Sequence, residues 1–305
     1  MVNHIIIKLL YALLSLFIVL NIGLMLNGVT RKIYARVNKR YGIRFYQPYI
    51  DLVKNYSLET LVSHGVMFYL GPLFRLTSGV GMIMFIPLIY GSEMFSNFSF
   101  SGDAVLLLYF MFFGTLGMAL GAGESGQPYS AIGVARGLGQ VTAAETPLVL
   151  SFLAVFIQTQ SLSLTVIVGS QQGGFLHWTM FTNPVATATA MLAYLGSMMR
   201  SPFDVVLAPQ EIPIGPPTEY HGAFLGVLST NRAIFTVAKN ILYVNMFFGG
   251  ATSWPELILK AFLLYMWSVV VGTIFPRFRV DQSIRWFLKV PLALGLLSII
   301  LLQIG

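Results

Sequence analysis

The sequence predicts an all-α, polytopic integral membrane protein of about eight transmembrane helices. Three observations predict it. Hydrophobic residues make up 56% of the chain and charged residues only 10%, where a soluble domain carries roughly 25% charge. The apolar residues fall in runs of roughly 20, the length that a bilayer core demands. The basic residues gather in alternate connections between those runs, which is the pattern that fixes orientation in a membrane.

The expected spans lie at about 5–27, 66–90, 104–122, 133–158, 184–200, 221–248, 256–276 and 286–304. The first and last are plain hydrocarbon and structural. The first begins with almost no charge and has no small-residue cleavage site, so it reads as a retained helix and not a removed signal. The connection after it carries Arg31, Lys32, Arg36, Lys39, Arg40, Arg44 and Lys54. The one before the last span carries Arg277, Arg279 and Arg285, and Arg136, Arg200 and Arg232 lie at or near the same side. The opposite loops, 91–103, 159–183 and 249–255, contain no lysine or arginine. This alternation places the basic loops in the cytoplasm and both termini outside a cell membrane. Residues 1–305 read as one transmembrane domain, with long cytoplasmic loops at about 28–65 and 200–221. Within the first loop, 45–64 is too polar to span. It fits either a short amphipathic helix carrying Ile50, Val53 and Leu61, or a solvated loop.

Composition also excludes chemistry. There is no cysteine, hence no disulfide, thiolate zinc site, cysteine-ligated iron–sulfur cluster or cysteine nucleophile in this chain. The four histidines, His4, His64, His177 and His221, are scattered, so no metal or haem site is expected. No phosphate-cradling glycine loop and no Ser-His-Asp arrangement occurs. The net charge of +7 is a topology signal, and no nucleic-acid partner is expected. Trp178 and Trp254 read as anchors at the outer interface.

Ionisable residues at membrane depth carry the functional signal, since each costs roughly 2.5–3.5 kcal/mol to insert. Glu145 lies within the fourth span, roughly 13 Å along the helix from Arg136, and Pro147 follows it with no backbone donor to give. Proton handling and a structurally paired carboxylate are both open for it. The segment 200–222, RSPFDVVLAPQEIPIGPPTEYHG, holds five prolines and cannot be one regular helix. It is too apolar for a free loop, and it carries Asp204, Glu211 and Glu219. Carboxylates crowded in such a setting resist ionising together, which suits a proton relay. The alternative is pairing with a neighbouring subunit's arginines. Arg232 and Lys239, nearly two turns apart in the sixth span, share a face and can supply counter-charge. Arg75 in the second span and Glu124 in the loop GAGESGQPYS are weaker candidates.

These residues carry a resemblance. Arg200, Pro202, Phe203 and Asp204, then Gln210 and Glu211, Gly215, and Thr218, Glu219, Tyr220 and Gly222 resemble the cytoplasmic loop of the NuoH-type subunit at the heel of the complex I membrane arm. The stretch YSAIGVARGL followed by Glu145 is similar to that family's acid-bearing middle helix. RYGIRFYQPYIDLVK is similar to its first cytoplasmic loop. Leu207 and Pro209 stand where quinone-reducing members carry further acids, and Gly-Pro-Pro precedes Thr218. Those departures point to the branch of energy-converting membrane-bound nickel–iron hydrogenases and the related ferredoxin-dependent sulfur-reducing complex. The resemblance implies a non-catalytic connector without cofactors of its own. Iron–sulfur clusters and a nickel–iron type centre are expected on partner subunits docked at the cytoplasmic face, with antiporter-like membrane subunits alongside. It implies a charge pathway through Glu145, Asp204, Glu211 and Glu219, tuned by Arg136 and Arg200. A member of an NADH–quinone complex, a stand-alone secondary transporter and a purely structural anchor are the competing readings. Only one proline-rich break is evident, where an inverted-repeat transporter shows two.

Overall fold

The computed structural model describes residues 2–60, 64–206 and 215–304. Among these, all regular structure is helical. The elements are α1 (Val2–Val37), α2 (Gln47–Ser57), α3 (Val66–Phe85), α4 (Asp103–Gly123), α5 (Pro128–Thr159), α6 (Leu164–Ser170), a 3₁₀ turn (Phe175–His177), α7 (Thr179–Thr182), α8 (Pro184–Ser197), α9 (Gly222–Phe247), α10 (Trp254–Ile274) and α11 (Val280–Ile304). Each of the eight expected spans corresponds to a helix: α1, α3, α4, α5, α8, α9, α10 and α11. Six of them are long and apolar enough to cross a bilayer by themselves.

The other two differ for separate physical reasons. At 14 residues, α8 is about 21 Å long, short of the roughly 30 Å hydrocarbon core. The connection before it folds into α6, the 3₁₀ turn and α7, a packed cap and not an open loop. α9 is long enough but carries Arg232 and Lys239, and most of it is buried. A helix lined with protein needs no continuous apolar surface. α1 runs beyond its expected span to Val37, about 54 Å for 36 residues, so its last turns carry Arg31, Lys32 and Arg36 past the membrane core.

α9 is the central element, touching α1, α2, α3, α6, α7 and α10, while α3 pairs with α4, and α5, α8 and α11 pack together. Small residues set the close crossings, as is usual where lipid supplies no hydrophobic force between helices. A Cβ on Gly71 of α3 would sit 2.7 Å from Gly121 Cα of α4, and one on Gly23 of α1 would sit 2.3 Å from the Ala233 carbonyl oxygen of α9. Tyr194, Tyr243, Phe152, Phe247, Met82 and Ile83 fill the interior between them.

The two ends of the bundle differ. At one end gather the basic connection after α1, α2, and the segments around 124, 200–206, 215–221 and 277. Segment 45–64 does contain a helix, α2, begun by Pro48 at its first turn. Ile50 and Val53 face away from the protein, 49% and 70% exposed, so its apolar face is free for the interface. Leu61 lies outside the described residues. At the opposite end, Gln171 ties the cap together: its amide donates to the Ile167 and Asn245 carbonyls while its oxygen accepts from the Thr179 and Gly249 amides.

The opposite loops carry no lysine or arginine, and the lysine packed into that cap comes from a helix, Lys260 in the second turn of α10. Its ammonium donates to the Phe248 and Gly250 carbonyls at 2.8 and 2.7 Å, pairs with Glu256 at 2.7 Å and sits 4.1 Å over the Trp178 ring. Trp178 also packs under the Lys260 ammonium, and Trp254 lies edge-on to Phe95. Charge counting along loops misses Lys260 because it sits inside a helix.

Candidate functional site

The ionisable residues at membrane depth converge around α9. Seven residues separate Arg232 from Lys239, so both project from one face, and both line a cavity of about 190 Å³ with Arg75 of α3. Its other walls are mostly apolar, among them Val134 and Val141 of α5, Met118 of α4 and Phe235 of α9. A second cavity, about 300 Å³, lies toward the basic end between α1, α9 and α10. It is lined by Tyr34, Arg200, Asp204, Arg232 and Tyr265. Arg232, Met198, Met199 and Thr236 belong to both walls, so the two cavities adjoin across that group.

Each charge finds a definite setting. Asp204 Oδ2 accepts from Arg277 at 3.0 Å, joining the proline-rich segment to the turn between α10 and α11. Arg200 donates to the Tyr265 hydroxyl and lies 4.4 Å over the same ring. Lys239 is only 5% exposed. Its Nζ donates to the Ser197 carbonyl at 2.7 Å at the end of α8 and lies 4.5 Å over Phe235. The carboxylate that acts on Lys239 is Glu145 from α5, and Lys239 is in turn the cation that acts on Glu145. α5 runs through Pro147 without ending, from Pro128 to Thr159.

The remaining expected residues lie apart from this lane. Glu219 Oε2 lies 3.6 Å from His64 Nε2 near the start of α3, so among the described residues Asp204 and Glu219 have different partners, Arg277 and His64. Glu211 lies outside the described residues. Arg136 stands nine positions before Glu145 on α5, roughly 13 Å along the axis, and Lys239 is the cation within electrostatic reach of Glu145. Glu124 caps α3 by accepting from the Phe68 amide at 2.7 Å. Beside it, the Tyr220 hydroxyl donates to the Phe68 carbonyl at 2.9 Å. Burial, and next the Glu124 carboxylate, raise the Tyr220 phenol well above its ordinary range, so it stays a donor.

The lane also contains residues that a search for charges alone does not find. Tyr194 of α8 and Asn240 and Tyr243 of α9 are fully buried, and the Tyr194 hydroxyl donates to Asn240 Oδ1 at 2.6 Å. A signal was present: three asparagines, Asn231, Asn240 and Asn245, in a membrane-depth helix need partners as much as charges do.

A buried lysine and a half-buried glutamate within electrostatic reach of each other between membrane helices, beside two adjoining cavities, define a polytopic membrane protein with an internal polar lane. The comparisons with known proteins fit that class. The family model described as NADH dehydrogenase matches residues 9–303. The NuoH-type chain of the NADH-quinone oxidoreductase of Helicobacter pylori (strain Shi470) is 29% identical over 300 residues, covering 90% of this chain and 89% of that protein. Its counterpart in Protochlamydia amoebophila is 29% identical over 294 residues, covering 89% of each. A chain in the structure of the membrane-bound sulfane sulfur reductase, an archaeal respiratory membrane complex, superimposes with a TM-score of 0.90 at 29% identity, over 97% of this chain and 99% of that one. The chain belongs to the NADH dehydrogenase family and is a NuoH-like membrane protein of a respiratory complex.

Proposed function

We propose that this chain is the membrane-anchoring and charge-coupling subunit of a respiratory complex of the energy-converting hydrogenase or sulfur-reductase type. It links ferredoxin-driven redox chemistry in a peripheral arm to ion translocation by antiporter-like membrane subunits. The observation that carries the reading is the placing of opposite charges at membrane depth: Lys239 of α9, buried in the wall of the first of two adjoining cavities, and half-buried Glu145 of α5 within its electrostatic reach. Burial penalises the charged forms of an acid and a base alike and so offsets their mutual attraction, and a nearby change of charge then moves a proton between them at low cost. The structural likeness to the sulfane sulfur reductase chain supports the branch.

On this reading the peripheral arm docks at the basic end, which faces the cytoplasm, and both termini lie outside. With no cysteine in the sequence, the iron–sulfur and nickel–iron type centres belong to partner chains. A redox event in the arm shifts charge near Asp204 and Arg277. The Arg200–Arg232 array carries that change to Lys239 and Glu145, and the antiporter-like neighbours respond. A quinone-linked arm is the second reading, favoured by the NADH-quinone oxidoreductase relatives.

Glu145→Gln in the whole complex, in sealed vesicles, tests the proposal. Electron transfer is expected to continue, or slow to the uncoupled rate, while ion translocation falls at least tenfold. Full translocation in an assembled variant complex overturns it. Purification with mild detergent supplies the partners: a nickel–iron-type large subunit supports the first branch, and quinone-dependent turnover the second.

A further inference from the structure

Beyond the charged pair lies a column of polar groups without charge. Tyr265 of α10, Tyr194 of α8 and Tyr243 of α9 are each 2% exposed or less. Arg200 donates to the Tyr265 hydroxyl, and the Tyr194 phenol feels both Arg200 and Tyr265. Tyr194 in turn donates to Asn240 Oδ1, and its ring lies 4.9 Å from that of Tyr243. Tyr243 is near the Ser197 side chain and within electrostatic reach of Glu145. These contacts lead from the second cavity to the Lys239–Glu145 pair on a route separate from the first cavity, since neither Tyr194 nor Tyr243 lines it.

Two atoms of the column stand out. Asn240 Nδ2 and Tyr243 Oη are inaccessible and have no hydrogen-bond partner. Buried polar atoms are satisfied in roughly nine cases in ten or more, by protein or by ordered water. The two residues are three positions apart on α9, hence on one helix face, and both meet Tyr194. An internal water needs roughly two to four polar partners. Asn240 Nδ2 as donor and the Tyr243 hydroxyl as donor or acceptor supply two.

We propose that Asn240 and Tyr243 hold an ordered water molecule, and that Tyr194, this water and Tyr243 form a proton wire joining the Arg200–Tyr265 end of the lane to Glu145. The proposal rests on the coupling reading above and names the residues that would carry its proton. In a transfer, the Tyr243 hydroxyl gives its proton toward the Glu145 carboxylate as it takes one from the water. The Tyr194 hydroxyl turns from Asn240 Oδ1 to the water and gives it a proton, and is refilled from the Arg200–Tyr265 side. Every oxygen of the wire loses and gains one proton, only O–H bonds change, and no oxidant or reductant enters. Asn240 is a positioning residue: its amide carries no proton onward but orients Tyr194 and the water.

The test uses the intact complex in sealed membrane vesicles, driven by reduced ferredoxin, with Tyr243→Phe and Glu145→Gln measured side by side. Tyr243→Phe keeps the ring and its packing and removes one oxygen. Ions moved per electron are expected to fall at least fivefold, and the solvent deuterium isotope effect on the residual translocation is expected to change. Full translocation in Tyr243→Phe beside loss in Glu145→Gln overturns the wire and leaves the coupling reading standing. Full translocation in both overturns the coupling reading itself. If Tyr243→Phe does not assemble, a high-resolution map of the unsubstituted complex decides. Ordered density bridging Tyr243 Oη and Asn240 Nδ2 is expected, and a dry contact there overturns the proposal.

Discussion

Replacing Lys239 by methionine keeps the length of the side chain and removes the one cation that acts on Glu145. In the native chain the ammonium donates to the Ser197 carbonyl at 2.7 Å, lies over Phe235 and faces the carboxylate from a site 5% exposed. Removing this cation leaves the half-buried carboxylate without compensation, about 1–2 kcal/mol, less than the roughly 3–5 kcal/mol of a contacting buried pair. Lys239→Met also strands the Ser197 carbonyl, about 1 kcal/mol more. Glu145→Gln leaves the ammonium its carbonyl and its ring, so its cost is smaller, about 2–3 kcal/mol. The double variant removes both charges together and loses only the carbonyl contact and some packing, about 2 kcal/mol. The cycle therefore predicts strong non-additivity, with a coupling energy of about 2–4 kcal/mol, at the upper end of what interacting residues show. Denaturant unfolding of the purified complex in mild detergent, followed by loss of this subunit, measures it. Additivity within about 0.5 kcal/mol would show that the two groups do not act on each other, and the site would lose its acid–base pair.

Other outcomes follow from particular contacts. Because burial and Glu124 raise the Tyr220 phenol, the folded chain keeps a proton that the unfolded chain releases above about pH 10. Stability is then full below that pH and falls as pH rises further, by about 1.4 kcal/mol per pH unit for this one group. Tyr220→Phe should cost about 1 kcal/mol at neutral pH for the lost bond to the Phe68 carbonyl and flatten the alkaline slope by that amount, as unfolding between about pH 10 and 11.5 reads out. Lys260→Met removes two carbonyl bonds and an ion pair from the cap, about 2–3 kcal/mol. Hydrogen exchange should accelerate in 248–254 and 171–182 while the interior of α9 stays protected. Gly71→Val places a side chain 2.7 Å from the α4 backbone at Gly121, where no rotamer relieves the clash. Failure to assemble is expected, and native gels showing normal yield and mobility would contradict that crossing.

The lipid-embedded fold was legible because hydropathy is a local property and bilayer thickness sets the length of a span. The same locality explains the limits. α8 is cut short by the Asn183 cap at one end and by the turn after Ser197 at the other. Its missing length is made up by α6 and α7, whose anchoring runs through Gln171 to residues more than seventy positions away. For the same reason Glu145 could be singled out from its depth and Lys239 named as a counter-charge, while which carboxylate Lys239 serves could not be read. Arg136 was on the same helix, but Lys239 arrives from α9.

What the chain determines unaided is which groups are expensive at membrane depth: Glu145, Lys239, Arg75, the acids of the proline-rich segment, and the buried amides of α9. What the tertiary structure decided is who meets whom. Asp204 is held by Arg277, 73 positions away, Glu219 by His64, and Tyr194 by Asn240. The physical reason is that such pairings depend on the rotation and crossing of helices. Those are fixed where glycines let backbones touch, as at Gly71 against Gly121 and Gly23 against Ala233, and no window along the chain contains both sides of such a contact.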